Sequence, residues 1–117
     1  MIKLKHIVNR IIVSEINLPA GDFSIGRNSG NNLQLDDGVV SGEHAVIMLV
    51  PDDCLPNVFD ITIKDLGSTN GTFVNNESIK EKKLKNGDSI RLGEHEFKVF
   101  DDQAVTNTQT EYYVPED

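Results

Sequence analysis

The amino-acid sequence predicts an all-β domain because three features of its pattern agree. Apolar and polar residues alternate with a period of two, turn residues separate the alternating runs at short intervals, and no run is long enough for a persuasive helix. Many short strands with tight turns are typical of an antiparallel β-sandwich or barrel. A chain of 117 residues can bury one core, so we expect a single domain.

The individual strands follow from this alternation. Ile2, Leu4, His6 and Val8 fall on one face of a first strand. The further predicted strands span residues 10–16, 22–26, 32–35, 45–50, 59–64, 72–75, 77–80, 88–92 and 95–100. Turn residues such as Asn75-Asn76 and Asn86-Gly87 separate them. The segment 51–57 reads as an exposed loop to which we assign no function.

After Phe100 the apolar alternation stops. We therefore predict a domain over residues 1–100 and an acidic, threonine-rich tail over residues 101–117, which we expect to be flexible. The tail holds five acidic residues and no basic one. A phosphorylated tail threonine could occupy the domain's own site or that of a neighbour, and the candidates are Thr106, Thr108 and Thr110.

The net charge of −8 argues against nucleic acid or an anionic membrane as a partner, since both attract basic surfaces. Cys54 is the single cysteine, which excludes an internal disulfide and favours a reducing compartment. No stretch approaches the roughly 20 apolar residues of a membrane span. We expect a cytoplasmic protein without a cofactor.

Three clusters of residues have chemistry suited to a binding site. In the first, the predicted strand 22–26 ends in Gly26-Arg27 and opens into a turn-rich loop. The planar fork of an arginine suits a phosphate, because it can donate two parallel charge-assisted hydrogen bonds. Arg27 is the one basic residue between Arg10 and Lys64, among eight acidic ones. Taken alone, this cluster favours the simpler interpretation of Arg27 as a solvated surface arginine.

The second cluster is Ser41-Gly42-Glu43-His44. The serine hydroxyl can donate to a phosphate oxygen, and the glycine leaves its backbone N–H approachable. A hydrolytic pair of Ser41 and His44 is a remote alternative, because no nucleophile-elbow motif is present and no third member can be named. His44 fits better as a buried histidine that fixes the loop by hydrogen bonds. His6, His44 and His95 lack ligand-like spacing, so we expect no metal site.

The third cluster is the segment from Asp65 to Asn75, a run of hydroxyl and amide side chains between two strands that includes Ser68-Thr69-Asn70-Gly71-Thr72 and Val74-Asn75. By itself it could be only a turn, since Asn-Gly is a strong hairpin signal and Ser or Thr often bond to their own backbone.

Together the clusters resemble the forkhead-associated (FHA) family, whose pattern is Gly-Arg, then Ser-x-x-His, then a Ser-x-Asn-Gly-Thr stretch followed by Val-Asn. The similarity continues through Leu84–Gly93 and Phe97 and so covers nearly all of residues 1–100. It implies an FHA/SMAD-like sandwich of about eleven short strands that binds phosphothreonine peptides through loops at one end. The implied partner is a protein phosphorylated by a Ser/Thr kinase, and the implied role is that of a signalling adaptor rather than an enzyme.

The resemblance also implies a role for each residue of the motifs. Arg27 resembles the phosphate-binding arginine, Ser41 and Thr69 the hydroxyls on the phosphate, and Asn70 the amide that holds the peptide backbone. The residues that it implies to be structural are Gly26, His44, Gly71 and Asn75.

One position departs from the family pattern. The residue after the serine is commonly basic in this family and often contacts the phosphate, whereas here it is Gly42. Either binding is weaker by the loss of that contact, or Gly42 offers its backbone N–H instead. The alternative function is a protein-interaction scaffold that does not depend on phosphate.

Overall fold

The computed structural model describes residues 2–55 and 58–101, and within these ranges eleven strands form two sheets. The strands are β1 (Ile2–Val8), β2 (Ile11–Asn17), β3 (Gly21–Gly26), β4 (Leu33–Gln34), β5 (Ala45–Pro51), β6 (Phe59–Asp65), β7 (Thr72–Val74), β8 (Glu77–Ile79), β9 (Glu81–Leu84), β10 (Ser89–Leu92) and β11 (His95–Asp101). In the described part of the chain, no helix is long and apolar enough to cross a membrane. Asp101, which the sequence predicts to begin the tail, is the last residue of β11. The remaining tail residues 102–117, with the three candidate threonines, lie outside the described residues.

The six-stranded sheet has the order β2-β1-β11-β10-β7-β8, and the five-stranded sheet has the order β4-β3-β5-β6-β9. The paired strands are antiparallel with one exception, because β3 and β4 pair in parallel through Ile25 with Leu33 and Gly26 with Gln34. The all-β sandwich predicted from the sequence is confirmed, with this one short parallel pair added.

The core lies between the two sheets and follows from the alternation in the sequence. Along β5, Ala45, Ile47 and Leu49 are buried, and along β6 Ile61 and Ile63 are buried beside them. The six-stranded sheet contributes its own buried residues to the same cluster, which include Leu4, Val74, Ile90, Leu92, Phe97 and Val99. A period of two along each strand therefore places one apolar face of each sheet against the other.

The structure differs from the predicted strands in one additional strand, β9, and in two residues that lie in turns. Strand β9 was not predicted, because three of its four residues are charged and only Leu84 is buried. It forms an edge strand beside β6. The sequence pattern predicts Arg10 and Asn75 in strands, whereas each lies in a two-residue turn with positive φ, 67° at Arg10 and 51° at Asn75. Paired positive φ values are typical of tight hairpin turns.

Strand β2 is an edge strand with an exposed apolar row. Ile11, Ile12 and Val13 are each more than half exposed. Ile12 pairs with Ile7 and Ser14 pairs with His6, so Val13 has no residue opposite it in β1. Val13 is thus the extra residue of a β-bulge, and it lies in a stretch of β2 from residue 11 to residue 15 in which every residue is exposed.

The ends of three neighbouring strands position the loops that carry the motifs. Ile25 near the end of β3, Ala45 at the start of β5 and Asp65 at the end of β6 lie side by side in the five-stranded sheet. The loops 27–32, 35–44 and 66–71 therefore leave the sheet at the same end. We call this the loop end of the sandwich.

We expect Ile63→Ala to lower the free energy of unfolding by about 2–5 kcal/mol, because it leaves a cavity at a fully buried core position. Ile12→Ala is the control, since Ile12 is 56% exposed, and its effect should stay within about 0.5 kcal/mol. Urea unfolding followed by circular dichroism measures both, as the chain has no tryptophan. Equal effects at the two positions would contradict the described core.

Candidate functional site

The three motif clusters meet around one open pocket at the loop end, with a volume of about 300 Å³. The pocket is lined by Arg27, Ser41, Gly42, Thr69 and Asn70, which are the five residues predicted to bind, and by Gly38, Val39 and Val40. The sequence separates these residues by up to 43 positions, and the convergence of the loops brings them together.

Gly26 allows two of the loops to touch through their backbones. A Cβ atom at this position would lie 2.3 Å from the backbone oxygen of Gly42, which no side chain could accommodate without moving the loop. The N–H of Arg27 donates to the carbonyl of Ser41 at 2.9 Å, and the N–H of Asn28 donates to that of Gly42 at 3.1 Å. The backbone of Arg27 is therefore fixed directly against the loop that carries Ser41.

Arg27 itself is exposed, and no carboxylate of residues 2–55 or 58–101 forms an ion pair with it. Its Nη1 atom lies 3.5 Å from the carbonyl oxygen of Gly38, a long contact that leaves most of the guanidinium donors unused. A charged fork at the rim of a polar pocket without an acidic partner is available to an anion.

The hydroxyl of Ser41 and the side-chain amide of Asn70 each form a hydrogen bond between two of the loops around the pocket. The Oγ atom of Ser41 accepts the N–H of Thr69 at 3.0 Å, which leaves the Ser41 hydroxyl hydrogen free to donate elsewhere. Asn70 donates from Nδ2 to the carbonyl of Val39 at 2.9 Å. The loops 35–44 and 66–71 are thus connected by two hydrogen bonds on the floor of the pocket.

His44 is completely buried and connects the loops from below. Its Nδ1 accepts the backbone N–H of Ser41 at 3.1 Å, and its Nε2 lies 2.9 Å from the carbonyl of Gly71. Because Nδ1 accepts, the ring is neutral and Nε2–H donates to Gly71. Its own backbone bonds to Ile25 and Leu66. The imidazole of His44 therefore joins the loops 35–44 and 66–71, while its backbone N–H bonds to the end of β3.

The contacts of His44 show whether it could act as a general base for Ser41 in hydrolysis. His44 bonds to the backbone nitrogen of Ser41 and not to its hydroxyl, and its second ring nitrogen is engaged by Gly71. A general base must lie within hydrogen-bond reach of the proton that it removes. The geometry of Ser41 and His44 supports a loop anchor and gives no support to a nucleophile with its base. In the described ranges no group of three or more His, Cys, Asp or Glu side chains could hold a metal ion.

The loop 66–71 is shaped by Asp65, the first residue of the third cluster, to which the sequence pattern assigns no role. Its carboxylate accepts the hydroxyls of Ser68 at 2.5 Å and Thr72 at 2.7 Å, and the backbone N–H groups of Gly67 and Ser68 at 3.0 Å. Burial alone would raise the pKa of Asp65, but these four donors together lower it. A lowered carboxyl pKa contributes stability above the unfolded-state value, and this contribution is lost as the pH falls through the folded-state pKa.

The adjacent residues Ser68 and Thr69 have different roles in this loop. Ser68 bonds to Asp65 and also accepts the N–H of Gly71, so it closes the loop. Thr69 lines the pocket. An aspartate two to three residues before Gly-Ser is the usual sequence signal of such a side-chain-capped turn, and it would have identified Asp65.

The other residues expected to be structural have contacts of that kind. Gly71 has φ of +88°, which favours glycine, and its carbonyl accepts from His44. Asn75 has φ of 51° and bonds through its amide to Asp88 and to the N–H of Ser89. These contacts join the β7–β8 turn to the start of β10.

Gly42 has an unused backbone N–H and a close neighbour. Its N–H donates to no group in residues 2–55 and 58–101. A Cβ atom at this position would lie 2.8 Å from Nδ2 of Asn28. The amide of Asn28 therefore occupies space that a side chain at residue 42 would need.

The comparison with known proteins now decides the family. The sequence model of the FHA domain matches residues 23–93, which is more than half of the chain. The chain belongs to the FHA domain family. The matched segment contains all five pocket residues predicted from the sequence, together with His44 and Gly71.

Three related proteins illustrate the similarity. The glycogen accumulation regulator GarA of Mycobacterium tuberculosis is 39% identical over 70 residues, which cover 60% of this chain and 39% of GarA. A solved structure of phosphothreonine-dependent FHA domain interactions has a TM-score of 0.70 at 33% identity and covers 86% of this chain and 95% of that one. The structure of Mycobacterium tuberculosis EmbR with a low-affinity phosphopeptide has a TM-score of 0.71 at 34% identity. The match covers 85% of this chain and 24% of the EmbR chain. The FHA chain described here thus spans about two fifths of the length of GarA.

We expect His44→Ala to lower the free energy of unfolding of this FHA domain by about 2–5 kcal/mol. It removes a fully buried side chain and leaves the N–H of Ser41 and the carbonyl of Gly71 without their partner. Ser78→Ala is the control, because Ser78 is exposed and lies outside the loops that His44 joins. Urea unfolding by circular dichroism compares them, and a loss below about 1 kcal/mol for His44→Ala would contradict its anchoring role.

Proposed function

We propose that this FHA domain is a phosphothreonine-peptide-binding adaptor that recognises proteins phosphorylated by a Ser/Thr kinase, and that it binds them at the loop-end pocket. The observation that carries the site assignment is the convergence of Arg27, Ser41, Thr69 and Asn70 on one pocket, with Arg27 free of any acidic ion-pair partner in the described residues. The family membership, the similar structure of phosphothreonine-dependent FHA domain interactions and the EmbR complex with a phosphopeptide support the ligand class.

The mechanism is recognition of charge and shape without a chemical step. A phosphothreonine carries nearly two negative charges and three acceptor oxygens at neutral pH. Arg27 supplies charge-assisted donors, Ser41 and Thr69 supply hydroxyl donors, and the free N–H of Gly42 is a further donor at the same pocket. Asn70 holds the backbone of the bound peptide. Because the loops are already connected in the free domain, little ordering is needed on binding, and we expect an affinity on the order of micromolar.

Arg27→Ala should weaken binding of a phosphothreonine peptide by about 10- to 150-fold, which corresponds to one or more charge-assisted hydrogen bonds of about 1.5–3 kcal/mol. Arg27→Lys should be intermediate, because it keeps the charge and loses the fork. Fluorescence anisotropy with a labelled library of matched phosphothreonine, phosphoserine and unmodified threonine peptides measures the effect. Arg91→Ala is the matched control, since Arg91 lies over the ring of Phe73 and does not line the pocket.

The competing function is a scaffold that binds partners without phosphate. The exposed apolar row Ile11, Ile12 and Val13 on β2 favours it, because such a row is suited to protein contacts. Partner binding that is equal for phosphorylated and unmodified peptides, and that survives Arg27→Ala unchanged, would establish this scaffold function and reject the phosphopeptide site.

The glycine at position 42 leads to a prediction about affinity. Gly42→Lys introduces the basic residue common in the family, but its Cβ meets the amide of Asn28. We therefore expect the double variant Gly42→Lys/Asn28→Ala to bind a phosphothreonine peptide about tenfold more tightly than the wild type, by one added charge-assisted contact. The single variant Gly42→Lys should gain less than this.

A double-mutant cycle in the same anisotropy assay tests this relation. The unmodified peptide should gain nothing from either change. Additive effects of the two substitutions would show that Asn28 does not restrict the space at position 42.

A further inference from the structure

A chain of three side chains runs from β1 to the loop that forms one wall of the pocket. Nε2 of His6 lies 2.9 Å from Nδ1 of His95, and Nε2 of His95 lies 3.2 Å from Oδ2 of Asp37. The ring of His6 also stacks on Phe97, with ring centroids 4.6 Å apart. We call His6, His95 and Asp37 the histidine relay.

The histidine relay ends at Asp37, which bonds to the backbone of the loop 35–44, called the pocket loop below. Asp37 accepts the N–H of Val39 with its other carboxylate oxygen, Oδ1, at 3.1 Å, and its carbonyl accepts the N–H of Val40 at 2.9 Å. The next two carbonyls face two residues that are proposed to bind the phosphopeptide. The carbonyl of Gly38 has the long 3.5 Å contact with Arg27, and the carbonyl of Val39 accepts from Asn70 at 2.9 Å. The position of Asp37 therefore sets where these two acceptor groups lie.

The hydrogen positions in the neutral relay follow from the acceptor at its end. The carboxylate of Asp37 can only accept, so Nε2 of His95 carries a hydrogen and Nδ1 of His95 accepts. His6 must then donate from Nε2. Each ring has one hydrogen, and both bonds are satisfied.

One added proton keeps both bonds and strengthens one of them. If it is placed on His95, that ring donates to Asp37 from Nε2 and to His6 from Nδ1, while His6 changes tautomer and accepts at Nε2. The bond to Asp37 then joins opposite charges. Burial and the neighbouring His95 both lower the pKa of His6, which opposes a charge on His6. A second proton would point two N–H groups at each other.

Imidazole is the side-chain type that ordinarily changes charge between pH 5 and pH 8, and His6 and His95 supply it in the relay. His6 faces Ser14 across β2 and Phe97 across β11, and His95 faces Leu92 across β10, all three uncharged. The charged residues next to the relay residues along the chain are Lys5, Asp36, Glu94 and Glu96. Lys5 has Glu15 at 4.0 Å, and Glu96 accepts the hydroxyl of Ser89.

We propose that His95, acting through Asp37, is a positioning residue of the phosphopeptide pocket, and that the proton taken up by the histidine relay strengthens binding. The protonated ring of His95 bonds more strongly to Asp37 and so holds the loop 35–44 more firmly. Its positive charge also offsets the negative charge of Asp37, which precedes the pocket residue Gly38 and otherwise repels a phosphate. This inference rests on the proposed phosphopeptide function. The consequence is a binding module whose affinity, after correction for the charge of the phosphate itself, rises as the pH falls from 8 to 6.

The binding experiment uses the full chain and one phosphothreonine peptide at pH 8, 7 and 6. The phosphate also titrates near pH 6, but its effect cancels in the ratio of variant Kd to wild-type Kd at each pH. For His95→Gln, which keeps a donor for Asp37 and cannot become charged, this ratio should rise about fivefold from pH 8 to pH 6, near the lower end of typical coupling between sites. For His95→Ala the ratio should exceed that of His95→Gln at pH 8, because the donor is also lost.

Asp60→Asn is the matched control for a carboxylate outside the relay. Asp60 pairs with Lys83 at 3.7 Å on the other sheet, and its ratio should stay constant with pH. A ratio for His95→Gln that is equally constant, in a domain that binds the peptide, would overturn the proposal.

A second measurement on the free protein separates failure of the relay from failure of the proposed function. In ¹⁵N-labelled protein, the side-chain amide signal of Asn70 and the backbone amide signal of Val39 should shift with the same midpoint as the His95 ring, and should stop doing so in His95→Gln. If no phosphothreonine peptide binds at any pH, the proposed function is wrong. If the chemical shifts of the Asn70 and Val39 signals do not change with the protonation of His95, the relay does not position the pocket loop.

Discussion

The buried ring of His44 is the interaction on which the rest of the site depends. It is fully enclosed, it receives the N–H of Ser41, it donates to Gly71, and its backbone bonds to Ile25 and Leu66. The loops 35–44 and 66–71 are thereby held to each other and to the end of β3. The wall of the pocket is polar and exposed, and such a wall keeps its shape only when the polar groups beneath it are satisfied.

The sandwich contributes by placing those loops at the same end. Ile25, Ala45 and Asp65 are adjacent in one sheet, so the loops that follow or precede them start within a strand spacing or two of each other. Asp65 and Asp37 then perform similar tasks at two sides of the pocket, since each uses a carboxylate to bind backbone N–H groups of its own loop. The rigidity of the site comes from these short-range contacts as much as from the core.

Much of this structure could be predicted from the sequence, and the parts that could not have physical reasons. The alternation of residues such as Ile61 and Ile63 reports burial on one face, so strands with a buried face were found. Strand β9 is charged and buries only Leu84, so its pairing with β6 leaves almost no apolar signal. The motif residues Arg27, Ser41 and Thr69 were identified by type and order. The link from His6 through His95 to Asp37 joins residues up to 89 positions apart, and no local pattern encodes it.

The bulge at Val13 has a consequence for the behaviour of the protein in concentrated solution. An edge strand with an apolar row and free backbone groups can template pairing with another chain and lead to aggregation. The extra residue shifts the register of β2 against β1 between Ile12 and Ser14, and the shift bends the strand and interrupts its outer row of N–H and C=O groups. The exposed apolar side chains of β2 can thus remain on the surface because the backbone beside them is a poor template for a further strand.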